Sequence, residues 1–205
     1  QNPSVAMDAA GNFVVAWESL NQDGSTEGVY AQRYNAAGVA LGTEFRVNTT
    51  TLDAQEDPAI AMDAVGNFVI VWESFGQEGA TEGVYAQRYD AAGVALGGEF
   101  RVNTTTADDQ DDPAVAMGPT GNFVVVWESS LQDGSSQGVY AQRYDSAGLA
   151  VGGEFRANTT TLDNQEEANV ALDDAGNFVI VWESLNQDGS FDGVYAQRYN
   201  SAGVA

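Results

Sequence analysis

The stretch Gly121-Asn122-Phe123-Val124-Val125-Val126-Trp127-Glu128-Ser129 occurs four times, almost unchanged. The other copies run Gly11–Ser19, Gly66–Ser74 and Gly176–Ser184. The tryptophans stand at 17, 72, 127 and 182, so the step is a constant 55 residues with no insertion or deletion. A period of this size marks a tandem array in which one small unit buries its apolar face against its neighbours. The chain reads as a single array over 1–205, with units at 3–57, 58–112, 113–167 and 168–205. The last unit is incomplete, and both ends fall inside the repeat, as expected for a piece of a longer chain or a processed product.

The second unit shows the pattern. Pro58 to Met62 is short and small-sided, and reads as a first strand, A. Gly66 and Asn67 supply a turn. Phe68 to Trp72 is a continuous apolar run rich in β-branched residues, which predicts a strand B buried on both faces. A polar loop leads to strand C, Val84 to Tyr89, and a second tight turn, Asp90 to Gly93, leads on toward strand D, Glu99 to Asn103. Phe100 and Val102 alternate with polar neighbours there, as in an outer, half-exposed strand. Four antiparallel strands per repeat predict an all-β fold, a β-propeller of four-stranded blades whose last unit lacks its outer strand. The tryptophans are expected between blades. Arg33 with Glu44, Arg88 with Glu99 and Arg143 with Glu154 are expected to pair across the hairpin from C to D.

Charge narrows the function. Thirty Asp and Glu stand against seven Arg, for a net charge of −23. Such a chain repels nucleic acid and anionic membranes, and no apolar run is long enough for membrane insertion. With no Cys and no His, thiolate and imidazole catalysis and the usual zinc sites are excluded. Most acids fall in the loops from D to A and from B to C, or end strand B, and so share one face of a propeller.

Each candidate site has a plain counterpart. The loop Gln-Asp-Gly-Ser offers Asp23, Asp133 and Asp188, with Glu78 at the matching place, as a ring of metal ligands for Ca²⁺. The plain reading is a solvated acidic face. Asp111 with Asp112 could form an acid/base pair for glycoside hydrolysis, but repetition in every unit favours solvated charge, because an active site is normally single. The tryptophans and tyrosines could stack sugars, or simply fill the core. Asn48, Asn103 and Asn158 head Asn-x-Thr glycosylation sequons in register, or end strand D and bond its turn.

The run Pro58-x-x-Ala61-Met62-Asp63-x-x-Gly66-Asn67-Phe68-Val69 resembles the start of an NHL-type propeller blade. The whole unit, through Gly-Val-Tyr-Ala-Gln-Arg-Tyr and Gly-Glu-Phe-Arg-Val-Asn-Thr, resembles repeats of large secreted bacterial proteins that often carry calcium-binding RTX modules. The resemblance implies a propeller at an extracellular or cell-surface location. The reading that follows is no enzyme: a structural and adhesive scaffold presenting acidic loops, stabilised by calcium. Its partners would be protein or glycan surfaces, or a second copy joined through the open last blade. A multivalent carbohydrate-binding propeller and a filament-forming unit are the alternatives.

Overall fold

The computed structural model describes residues 1–24, 26–77, 79 and 81–205. It is an all-β propeller assembly of four sheets, each wound in chain order. Blade 1 holds β1 (Ser4–Met7), β2 (Phe13–Leu20), β3 (Glu27–Tyr34) and β4 (Phe45–Arg46). Blade 2 holds β5 (Gln55–Met62), β6 (Phe68–Phe75), β7 (Glu82–Tyr89) and β8 (Phe100–Arg101). Blade 3 holds β9 (Gln110–Met117), β10 (Phe123–Ser130), β11 (Gln137–Tyr144) and β12 (Phe155–Arg156). Blade 4 has three strands, β13 (Gln165–Leu172), β14 (Phe178–Leu185) and β15 (Asp192–Tyr199). The inner strand starts earlier than its small residues indicate. Gln55 and Glu56 pair with Ser74 and Glu73, so each later sheet begins ahead of its Pro or Ala.

Sequence parity explains the packing. In blade 2 one face of the sheet carries Ile60, Phe68, Ile70, Trp72 and Tyr85, and packs on Val14, Ala16, Val29 and Ala31 of blade 1. The other face carries Val69, Val71, Val84 and Ala86, and meets Phe123, Val125 and Trp127 of blade 3. Each blade therefore presents an aromatic face backward and a small aliphatic face forward. The same pairing recurs between blades 3 and 4. Within a blade, Phe68 lies opposite Tyr89 and stacks on it at 4.9 Å. The buried indole N–H groups of Trp72 and Trp127 donate to Gln55 and Gln110 at 3.2 and 3.0 Å. The two outermost faces stay bare: Val5 is 62% exposed where its counterpart Ile60 is 7% exposed, and Val194 is 77% exposed where Val84 is fully buried.

The expected pairs of Arg33 with Glu44, Arg88 with Glu99 and Arg143 with Glu154 do not form. Arg33 shares the forward face with Val29 and Ala31, whereas Glu44 precedes the forward-facing Phe45 and so points backward. Instead, each arginine reaches the next blade. Arg33 donates to the carbonyls of Ala91 and Ala92, Arg88 to those of Ser146 and Ala147, and Arg143 to those of Ser201 and Ala202. The glutamates reach the preceding blade: Glu99 accepts from the Thr49 N–H at 2.6 Å, and Glu154 from the Thr104 N–H at 2.6 Å. The junctions of blade 1 with 2 and of blade 2 with 3 are thus stitched from both sides, and that of blade 3 with 4 by its arginine.

Candidate functional site at the propeller axis

The inner strands β1, β5, β9 and β13 converge on one cavity of about 360 Å³, lined in part by Asn2, Asp57, Asp112 and Glu167. These four occupy one repeat position. Their backbone is in the left-handed region, with φ of 39°, 45°, 46° and 55°. A non-glycine residue rarely sits there, and Asn2, Asp57 and Asp112 also precede proline, which ordinarily pushes a residue toward extended backbone. The pairing with strand B slips at this point, between Glu56 and Ala59 on β5 and between Glu166 and Asn169 on β13. Such a bulge bends the strand and re-aims a side chain. Here it turns one polar side chain per blade toward the axis.

A second set of acids holds the bulges in place. The N–H of Asp57 donates to Glu18 at 2.7 Å, that of Asp112 to Glu73 at 3.1 Å, and that of Glu167 to Glu128 at 2.5 Å. Each glutamate ends the strand B of one blade and caps the bulge of the next. The carboxyl oxygens of Asp57, Glu73 and Asp112 lie within 4.8 Å of one another, as do those of Asp111, Asp112 and Glu128. Either group could hold a hard divalent cation, which takes oxygen ligands.

Burial and mutual repulsion move these acids up. Desolvation is the leading cause throughout. It pushes Glu73 up to about 9, against the Asp112 N–H bond that pulls the other way, with Glu82, Asp57 and Asp112 adding to the rise. Glu128 is pushed up to about 8 and Asp111 to about 7 for the same reasons. Asp112 is raised as well, by desolvation and then by the charges of Asp57, Glu167 and Glu166. One Asp111 carboxyl oxygen is buried without a hydrogen-bond partner among the described residues. At neutral pH the axis therefore holds protonated carboxylic acids beside further carboxyl groups.

The acids expected as metal ligands lie elsewhere. Asp23, Asp133 and Asp188 sit one per blade in the loops from B to C, and the structure does not bring them together. Asp133 accepts from Asn158 Nδ2 at 3.2 Å and from the Ser135 N–H at 3.1 Å, and Asp188 accepts from the Ser190 N–H at 3.1 Å. Glu78 lies outside the described residues. The sequon asparagines are turned inward. Asn48, Asn103 and Asn158 accept the N–H of Val29, Val84 and Val139, each at 2.9 Å. Their amide nitrogens donate to Thr50, Thr105 and Thr160 carbonyls, each at 2.7 Å. All three are buried, so the folded blade presents no amide for glycosylation, and these residues fasten strand D. Of the acid pair, Asp112 reaches the axis and Asp111 lies beside it. Glu73 and Glu128 are not singled out by the sequence, where they read only as the polar ends of strand B. The available signal is the Asp-Pro step at 57–58 and 112–113, an acid set just where an inner strand changes course.

No protein-family model matches the chain, and no curated protein matches it in sequence. Solved structures do share the fold. An endo-arabinase from Bacteroides thetaiotaomicron aligns with a TM-score of 0.56 at 15% identity, over 99% of this chain and 76% of that one. An α-L-arabinanase from Penicillium chrysogenum, complexed with arabinobiose, aligns with a TM-score of 0.59 at 14% identity, over 96% and 56%. An ulvan lyase of polysaccharide lyase family 25 aligns with a TM-score of 0.62 at 12% identity, over 97% and 55%. The chain thus spans little more than half of the latter two proteins. At these identities the likeness fixes the fold, a β-propeller. It also counts as a correction to the reading as a non-enzymatic scaffold, since the propellers it aligns with are carbohydrate-active enzymes. Around a common axis, equivalent acids from successive units gather into one cluster instead of spreading out.

Proposed function

We propose that this propeller is a carbohydrate-active enzyme that binds a glycan at the axial mouth and cleaves it by general acid catalysis. The observation that carries this reading is Glu73: a buried carboxyl, pushed up to about 9, whose oxygens lie within 4.8 Å of those of Asp57 and Asp112. Glycoside hydrolysis needs one carboxylic acid that keeps its proton at working pH and a second carboxyl that attacks or activates water. In this assignment Glu73 gives its proton to the departing glycosidic oxygen. Asp57, too close to leave room for a water between the carboxyls, attacks the anomeric carbon as that bond breaks, and water then hydrolyses the resulting ester, giving its proton back to Glu73. Burial keeps Glu73 protonated, and the Asp112 N–H holds its carboxyl in place. The bulge and its left-handed backbone are the kind of local strain that collects at functional sites. Likeness to arabinan-degrading propellers supports a glycan as the ligand, on this reading met outside the cell.

The test is release of reducing ends from a panel of neutral polysaccharides that includes arabinan. Glu73→Gln should keep glycan binding and lower turnover about 10²–10⁴-fold, the usual weight of a general acid. Activity should also fall as pH rises through about 9, where Glu73 gives up its proton. Neither turnover nor binding across the panel, or an unimpaired Glu73→Gln enzyme, refutes the assignment.

A further inference from the structure

At the end of the sheets away from the axial acids, one turn from A to B departs from its siblings. Asp8-Ala9-Ala10, Asp63-Ala64-Val65 and Asp173-Asp174-Ala175 hold the repeat position that blade 3 fills with Gly118-Pro119-Thr120. In the siblings the aspartate fixes the asparagine four residues on. Asp63 accepts from Asn67 Nδ2 at 2.7 Å, which leaves Asn67 Oδ1 to accept the Ala91 N–H at 3.2 Å. Asp8 with Asn12 and Ala36, and Asp173 with Asn177 and Ser201, repeat this arrangement. With no carboxylate at Gly118, the Asn122 amide takes its place. Asn122 Oδ1 accepts from the Thr120 hydroxyl at 2.8 Å and lies 2.8 Å from where a Cβ on Gly118 would stand. Asn122 Nδ2 faces the Cβ position of Gly176 at 3.6 Å, as the Asp63 carboxylate faces that of Gly121 at 3.5 Å. Asn122 Nδ2 and the N–H of Ser146, the counterpart of Ala91, then have no hydrogen-bond partner among the described residues. The pocket at this junction is correspondingly larger. It measures about 320 Å³, against about 220 Å³ between blades 2 and 3 and about 140 Å³ between blades 1 and 2. Only the first falls within the range of roughly 300–1,000 Å³ usual for small-ligand sites. Both of its walls are complete: Leu172, Gly176 and Ser201 of blade 4 hold the repeat positions of Met117, Gly121 and Ser146 in the pocket before it.

We propose that the pocket between blades 3 and 4 binds a 2-acetamido sugar, its acetamido group standing where the sibling blades place the asparagine amide. One amide replaces another. The ligand's carbonyl accepts the Ser146 N–H, as Asn67 Oδ1 accepts that of Ala91. Its N–H and ring hydroxyls find acceptors in the carboxyl groups of Asp145 and Asp174, which line this pocket and repel anionic sugars. Leu172 and Val151 offer an apolar wall to the acetamido methyl and the ring. Such a mix of an apolar wall with a few placed polar groups is what orients a small ligand. The axial acids lie near the start of the inner strands and this pocket at their far end, so it holds a glycan without taking part in its cleavage. The choice of a sugar among amide ligands rests on the glycan reading; recognition of the amide does not.

The experiment titrates the nitrogen-15-labelled 205-residue chain with the methyl glycoside of N-acetylglucosamine, with methyl glucoside and with N-methylacetamide, and follows the amide resonances by NMR. The acetamido sugar should give saturable shifts at Ser146, Asn122 and Gly176. Methyl glucoside, which lacks the carbonyl acceptor, should bind about tenfold more weakly, the weight of one hydrogen bond to a group otherwise left unpaired. Gly118→Asp rebuilds the turn that Asp63 makes and returns the Asn122 amide to Ser146, so it should abolish binding with an unchanged circular dichroism spectrum. Asp174→Ala should weaken binding by a smaller factor, and it tests the site even if Gly118→Asp fails to fold. Glu73→Gln should bind the sugar as the parent chain does, which separates this site from the axial one whatever the outcome of the turnover assays. Absence of saturation, shifts confined to the axial residues, equal binding of methyl glucoside, or binding that a folded Gly118→Asp variant retains overturns the proposal. N-methylacetamide binding as tightly as the sugar overturns the choice of a sugar.

Discussion

Blades 2 and 3 share almost every residue with blades 1 and 4, yet their interiors differ. Trp72 and Trp127 are fully buried and bonded through their indole N–H to a buried glutamine. Trp17, in the same local sequence, is only half-buried. Trp182 is buried, but its N–H has no partner among the described residues, and Gln165 accepts from Asn158 instead. Arg33, Arg88 and Arg143 each clamp the following blade, and Arg198 makes no such bond among the described residues. The repeat sequence therefore specifies a surface, and the neighbour decides whether that surface becomes a core.

The comparison can be broken most directly at the tryptophans. Trp127→Ala should destabilise by about 3–5 kcal/mol, the range for emptying an aromatic core site, while Trp17→Ala should cost about half as much or less. Urea unfolding of the two variants measures both. Equal losses would mean that burial between blades is not what holds the strand.

A pH titration sharpens it at the axis. Glu73 ordinarily titrates near 4.5 and is raised to about 9 in the fold. A group raised in the folded state contributes stability that is complete below its unfolded value and is lost as pH rises through its folded value. Tm should therefore decline between pH 5 and pH 9, and Glu73→Gln should flatten that decline. A Tm that rises over this window would place the protons elsewhere.

Smaller effects are expected at the junctions. Arg88→Ala removes two hydrogen bonds to the next blade from an exposed guanidinium, which is worth about 1 kcal/mol. Arg198→Ala should change stability by less than about 0.5 kcal/mol. Matched losses in thermal melts of the two variants would show that the clamp does not act between blades. Smallest of all, Asp112→Asn should stabilise by a few tenths to about 1 kcal/mol by relieving repulsion among the axial acids, and high salt should shrink the gain.

Much of the fold could be read from the chain because its signals are local. The apolar run ending at Trp72, the Gly-Asn turn at 66–67 and the alternation around Phe100 all fall where strands B and D and their turns form. The failures share one origin. Proximity across the hairpin predicts that Arg88 meets Glu99, whereas the register places them on opposite faces, each aimed at a different neighbour. The axial cluster was hidden for the same reason. Asp57, Glu73 and Asp112 come from three different strands, β5, β6 and β9, and nothing in a linear pattern shows that the bulge before Pro58 turns Asp57 inward. The sequon asparagines follow their plain reading, ending strand D and fastening it through the side-chain amide.

The arginine clamps all point the same way around the axis, from each blade to the carbonyls of the one that follows. A ribosome delivers the blades in that order, N-terminal units folding first. Each newly made blade thus waits, its cation unsatisfied and its aliphatic face wet, until the next 55 residues have emerged. Assembly during translation acquires a direction, and each of the first three blades is finished by its successor.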